Sequence, residues 1–152
     1  MTESTIEIVR SVARDAEWPV SYRVTEGGHE AVVATRFALA GPLAAAYPAG
    51  AHDREVRLHP GVSARALRAT TERMLLDDPR CRRVVLPVPE EDLTAIAFAE
   101  GAGYRYVVDV ETTVAAQSLL VTEPDWVLAQ PAALDRIPLD ATAAAARGAV
   151  SA

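Results

Sequence analysis

The sequence predicts an α/β (α+β) fold, a mixed sheet with helices packed on it. Three observations carry that prediction. Two β-rich runs, residues 22–26 and 31–39, flank the glycine pair Gly27-Gly28, which is a hairpin signal. Residues 63–76 contain neither Gly nor Pro and repeat Leu67, Thr70, Met74 and Leu75 at helical spacing. After that helix comes the short apolar run 83–88, the mark of a strand buried on both faces, and then a second helical stretch.

Taken in order, Ile6, Ile8 and Val9 begin a strand or a short helix, broken at Glu17-Trp18-Pro19. Beyond the hairpin, Gly41-Pro42 interrupts, and residues 43–47 form a third run or a short helical turn. Pro48-Ala49-Gly50 is a loop. Residues 55–59 read as a strand stopped by Pro60-Gly61. Ser63 stands where the N-cap of the first helix belongs, and Asp77-Asp78-Pro79 closes that helix. Asp92 caps a second helix over 93–101, which Gly103 ends. Residues 104–114 alternate as a long strand, and 118–121 form another that resumes around Trp126. From Pro131 the chain turns Ala-rich, so residues 1–130 are expected to form a single domain and 131–152 a tail or short helix.

A chain of 152 residues, half of them hydrophobic, suits one domain with one core. With 5% aromatic residues, that core must be built from Ala, Val and Leu. No apolar run reaches the roughly 18 residues that a spanning helix needs. The first residues lack a cationic and then apolar signal segment, and the one cysteine, Cys81, excludes a disulfide framework or a multi-Cys metal cluster. The expected setting is cytoplasmic. A net charge of −6 argues against a general nucleic-acid binder. All 15 basic residues are arginine, which excludes a catalytic lysine, a Schiff base and a P-loop.

One stretch carries a family resemblance. Asp78-Pro79-Arg80-Cys81-Arg82-Arg83-Val84-Val85, then Asp92, Ala95-Ile96 and Glu100-Gly101-Ala102-Gly103-Tyr104-Arg105, resembles the second half of the GNAT family of acyl-CoA-dependent N-acyltransferases. The likeness covers residues 55–114 and is nearest the branch that acylates amines or hydroxylamines in siderophore assembly. It implies a GNAT-like central mixed, mostly antiparallel sheet, with acetyl-CoA or another acyl-CoA as co-substrate and no metal. It also implies a small-molecule amine or hydroxylamine acceptor, and a homodimer or a partner enzyme, with no role for nucleic acid or membrane. In that family the turn after the fourth strand opens a helix whose free N–H groups hold the coenzyme A pyrophosphate. Here that turn assigns cofactor binding to Gly61, Val62, Ser63, Ala64 and Arg65, with Arg68 nearby. Leu58 replaces the family's basic or amide residue, and Pro60 removes one N–H.

For catalysis, Ala99 occupies the position of the family's proton-donating tyrosine. The siderophore branch relies instead on a histidine near the fourth strand and an acid after the fifth. The residues that match are His59 and one of Glu90, Glu91 and Asp92, where Asp92 also replaces the family's Asn. About twenty residues precede the first hairpin, where the family has a strand and two acceptor-binding helices, so the fold is expected to be shortened at its N-terminus.

Each candidate has a plainer alternative. His59 is a general base or an exposed turn residue. Glu90, Glu91 and Asp92 hold a catalytic acid or favour a helix dipole. Residues 61–65 are a phosphate cradle or an ordinary strand-to-helix turn. His52, Asp53 and His59 match no strong metal-ligand spacing, and His29 and His52 read as surface loop residues. Ser63 lacks the Gly-x-Ser-x-Gly setting of a nucleophile. Cys81, between Arg80 and Arg82, is a thiol of lowered pKa or, as favoured here, an inert lone cysteine. Tyr104 is expected in the core, and Trp18 and Trp126 pack or mark an interface. The leading reading is an acyl-CoA-dependent N-acyltransferase. Its rival is a catalytically inactive GNAT-like binding or dimerisation module, and a third reading is thioester decarboxylation or hydrolysis on the same scaffold.

Overall fold

A computed structural model describes residues 4–12 and 14–129. The chain divides into two units, Met1–Thr122 and Glu123–Ala152. In the second, the described residues form one helical turn, Asp125–Leu128, where the sequence reading resumed a strand around Trp126. The reason is local: Pro124 precedes the turn, and its carbonyl accepts the N–H groups of Val127 and Leu128. The Ala-rich tail from 131 lies outside the described residues.

The first unit is built on seven strands: β1 Ile6–Val12, β2 Val20–Glu26, β3 His29–Phe37, β4 Arg54–Leu58, β5 Val84–Pro89, β6 Arg105–Glu111 and β7 Ala116–Thr122. Their order is β1-β2-β3-β4-β5-β7-β6, and every pairing is antiparallel except β4 with β5. The sheet is mixed and mostly antiparallel, as expected. The β2–β3 hairpin closes through Gly27 and Gly28 at φ +57° and +80°, the left-handed pair that a two-residue turn requires. The open question over residues 43–47 resolves as a short 3-10 helix, Pro42–Ala45, with Leu43 buried beneath it.

Two helices cover one face. Helix α1, Ala64–Asp77, starts where Ser63 Oγ accepts the Ala66 N–H at 3.0 Å. Its stripe of Ala66, Leu67, Thr70, Thr71 and Met74 is buried. Helix α2, Leu93–Gly101, starts where Asp92 accepts the Ala95 N–H at 3.0 Å. Losing either cap would cost about 0.5–2 kcal/mol. Beneath the helices lie Val24, Val33, Val56, Leu86 and Leu120, with Tyr104 bonded to Thr71 at 2.7 Å. Each such aliphatic side chain contributes about 1.5–3 kcal/mol by leaving water. Leu43, Val85, Leu119 and Val121 form a smaller cluster on the opposite face.

Between β1 and β2 the described residues contain no helix. Instead the Asp15 carboxylate accepts the N–H groups of Glu17 and Trp18, at 2.8 and 3.2 Å, and folds the segment into a turn. That turn lays the buried Trp18 ring on the face the helices leave open. Among the described residues no helix is long and apolar enough to cross a membrane.

Candidate active site

Strands β4 and β5 pair only through Arg54 with Val84 and Glu55 with Val85, and then part. The sequence of β5 accounts for this. Backbone N–H groups alternate sides along a strand. The Glu90 N–H donates to Ala116 of β7, so Val85, Pro87 and Pro89 direct their backbone towards β4. Two of those three are prolines and have no N–H to give. By the same alternation on β4, the Arg54 N–H donates to Arg83 and the His59 N–H turns away to Val32, so the Leu58 N–H faces the gap. The result is a cleft of about 810 Å³ with a free donor on one wall and prolines on the other.

The cleft floor carries charge. Arg36 and Glu55 stand directly opposite each other on β3 and β4, joined at 3.0 Å, with side chains 9% and 7% exposed. The Arg36 guanidinium stacks 3.9 Å above the Trp18 ring, and the Arg57 guanidinium approaches the same ring at 4.7 Å. Gly41 closes over the site, since a Cβ there would come within 2.5 Å of the Arg36 guanidinium carbon. Glu17, Arg36, Glu55 and Arg57 are the charged residues that line the cleft, and Thr112, Thr113 and Val114 of the β6–β7 turn form its rim.

The turn after β4 is a second polar cluster. Gly61 has φ +96°, and its carbonyl lies 3.1 Å from His29 Nε2. His29 therefore opens β3 and props this turn, where the sequence reading made it a loop residue. Ser63 donates to Glu26 Oε1 at 2.8 Å, and Arg65 donates to Glu26 Oε2 at 3.0 Å. Those bonds, the serine's first, hold the Glu26 carboxyl below the usual carboxylate range. The start of α1 thus already faces a carboxylate. A left-handed glycine and an N-terminal helix turn suit a phosphate, but Glu26 has to yield Arg65 before one can sit there.

By sequence the chain matches no family model and no curated protein. Solved structures do resemble it. An uncharacterised protein from Bacillus halodurans superposes with a TM-score of 0.64 at 15% identity, covering 82% of this chain and 69% of that one. The aminoglycoside N-acetyltransferase AAC(6')-Ib11 gives 0.60 at 20% identity, covering 70% and 66%. Aminoglycoside acetyltransferase AAC(6')-Ib, in a complex with coenzyme A and kanamycin, gives 0.57 at 17%, covering 74% and 70%. The fold is GNAT-like.

On that fold the expected residues fall as follows. Gly61, Val62 and Ser63 lie in the β4–α1 turn, and Ala64 and Arg65 are the first residues of α1. His59 is exposed, and it is not among the residues lining the cleft. Glu90 is exposed, and Asp92 spends its carboxylate on the α2 cap. The acidic residue at the cleft vertex is Glu55, which sequence reasoning passed over. The one local signal is that Glu55 alternates with the apolar Val56 and Leu58 of β4, whereas Arg36 shares its phase with the apolar Val32 and Ala34 of β3. Trp18 packs. His52 lies in the loop before β4, half-buried and edge-on to Phe37 with ring centroids 6.1 Å apart. Among the described residues no group of His, Cys, Asp and Glu could hold a metal ion. Cys81 is buried and its thiol donates to the Arg83 carbonyl; burial pushes it up to about 11 despite the flanking arginines. Ala99 is fully buried and offers no proton to the cleft.

Proposed function

We propose that this chain is an acyl-CoA-dependent N-acyltransferase acting on a small-molecule amine or hydroxylamine. The observation that carries this reading is the β4–β5 splay with the Leu58 N–H on its wall and Glu55 at its vertex. An acyl thioester lying in the splay would present its carbonyl oxygen to the Leu58 N–H, which offsets the negative charge that grows there. Glu55 accepts the proton of the attacking nitrogen while Arg36 holds the carboxylate in place. The C–N bond forms, the C–S bond breaks, and the thiolate leaves to be protonated by water.

In this proposal Glu55 takes the base role that the family resemblance gave to His59. Residues 61–65 hold the pyrophosphate once Arg65 exchanges Glu26 for phosphate. The siderophore assignment rests on the Asp78-Pro79-Arg80 stretch alone. Glu26 at the helix start and Ala99 together favour the second reading, an inactive module that keeps the fold and serves a homodimer or a partner enzyme.

Calorimetric titration with acetyl-CoA, followed by a thiol-release assay over a panel of amines, separates the two. The enzyme reading expects saturable acetyl-CoA binding and turnover, with Glu55→Gln keeping the binding and losing roughly a hundred-fold or more in turnover. Folded protein that binds no acetyl-CoA would sink it.

A further inference from the structure

We infer that the acceptor is a zwitterion, a small amine that also carries a carboxylate, and that Arg57 takes the carboxylate. This deepens the acyltransferase reading and rests on it. The charged groups lining the cleft are two acids, Glu17 and Glu55, and two arginines, Arg36 and Arg57. Arg36 and Glu55 are buried and satisfy each other at 3.0 Å. Glu17 and Arg57 are the accessible pair of opposite sign.

Arg57 has the features of a carboxylate receptor. Its side chain is 46% exposed, and its ion-pair partner is Asp15, at 3.8 Å with 47% exposure. A pair that long and that exposed to water is readily exchanged. The Trp18 face meanwhile keeps the guanidinium from wandering. A planar fork held against an indole is set to bind a carboxylate through two parallel hydrogen bonds. Arg57 also lies two residues past Glu55 on the same face of β4, roughly 6.5 Å along the strand. The proton acceptor and the carboxylate site are therefore side by side at the splay. Glu17, the other acid that lines the cleft, balances Arg57 in charge, while the amine end of such a molecule lies at Glu55, where its proton is taken.

The charge balance also says what the cleft would refuse. A polycationic acceptor would meet Arg57 and Arg36 with no excess of carboxylate to offset them. A plain alkylamine would leave Arg57 without a new partner.

The test compares α-, β- and γ-amino acids with their methyl esters, in thiol release with acetyl-CoA and in calorimetric binding, using the whole chain. The free acid should exceed its ester by about ten-fold or more in kcat/KM and in affinity, the scale of a lost charge-assisted bond. Arg57→Gln should bring that ratio to about one, mainly through KM. Because the acid–ester comparison is made first on the unaltered protein, it does not depend on the variant folding. Esters that match or beat the acids would overturn the zwitterion site while leaving acyl transfer standing. Carboxylate-dependent binding without turnover would keep the site and sink the acyltransferase reading. If neither acids nor esters bind or react, both fail.

Discussion

Replacing Gly41 with alanine adds one carbon and tests the whole cleft floor. Gly41 has φ −125° and ψ −170°, extended backbone open to any residue, so the change carries no backbone strain. Its cost is steric. The new Cβ would lie 2.5 Å from Arg36 Cζ, 2.6 Å from Nε and 2.7 Å from Nη2. The guanidinium has little room to retreat, with Trp18 3.9 Å from it and Glu55 bonded at 3.0 Å. Breaking a buried ion pair costs about 3–5 kcal/mol. Replacing a glycine returns about 0.4–1 kcal/mol through the unfolded chain. The net destabilisation is about 2–4 kcal/mol. For a unit the size of Met1–Thr122, at about 3–5 °C per kcal/mol, thermal unfolding should shift down by roughly 6–20 °C. Gly101→Ala is the control. It ends α2, a Cβ there meets nothing within 4 Å, and it should hold or slightly raise the midpoint. The decisive comparison is a double-mutant cycle, because Gly41→Ala should cost almost nothing once Arg36→Ala has removed the obstacle. Equal losses in both backgrounds would refute the claim that the damage runs through Arg36.

Further expectations concern the other polar groups. Glu26→Gln should raise coenzyme A affinity by about two- to five-fold at low salt, since it removes a like charge from the phosphate position; unchanged affinity would place the phosphates elsewhere. Because the folded Glu26 carboxyl sits below its unfolded value, its contribution to stability is whole above about pH 4.3 and is lost as pH falls through the folded value. Acid titration should therefore show a shallower loss in Glu26→Gln. Tyr22, pushed up to about 12 mainly by burial and then by its bond to Asp77, acts in the opposite direction. Its contribution is complete below about pH 10 and declines as pH rises through about 12, which Tyr22→Phe should flatten. Cys81 should resist a thiol-specific reagent at pH 8 until the chain unfolds; rapid modification of the native protein would contradict its burial.

Local features were legible in the sequence. The Gly27-Gly28 turn, the Ser63 and Asp92 caps, both helices and the apolar β5 run each depend on residues within a few positions of one another. The site was less legible. Periodicity assigns a residue to a face and does not name what lies opposite it. Arg36 and Glu55 are 19 positions apart, and only the β3–β4 register brings them together. Trp18 meets Arg36 and Arg57 because Asp15 folds a turn that reads in the sequence merely as a break. Glu26 reaches the start of α1 across 37 positions, and this changes what the phosphate turn offers. Motif matching led to His59, Glu90 and Asp92 because those positions follow strand ends. The cleft itself lies one step earlier, inside the strands.

The prolines of β5 have one more consequence. A sheet that opens in its middle exposes two inner edges, and such edges invite another strand to zip in, from a neighbouring molecule or from the chain's own loops. Here one edge is nearly mute. Beyond Val85 it has no N–H facing the gap, and the Pro89 carbonyl is already taken by the Asp92 N–H, so Pro87 keeps the one carbonyl left to offer. An intruding peptide could ladder onto β4, yet along β5 it would leave most of its amides dry and unbonded. The gap is therefore guarded against self-association by chemistry it lacks. A ligand that needs only one wall enters without first breaking any strand–strand bond.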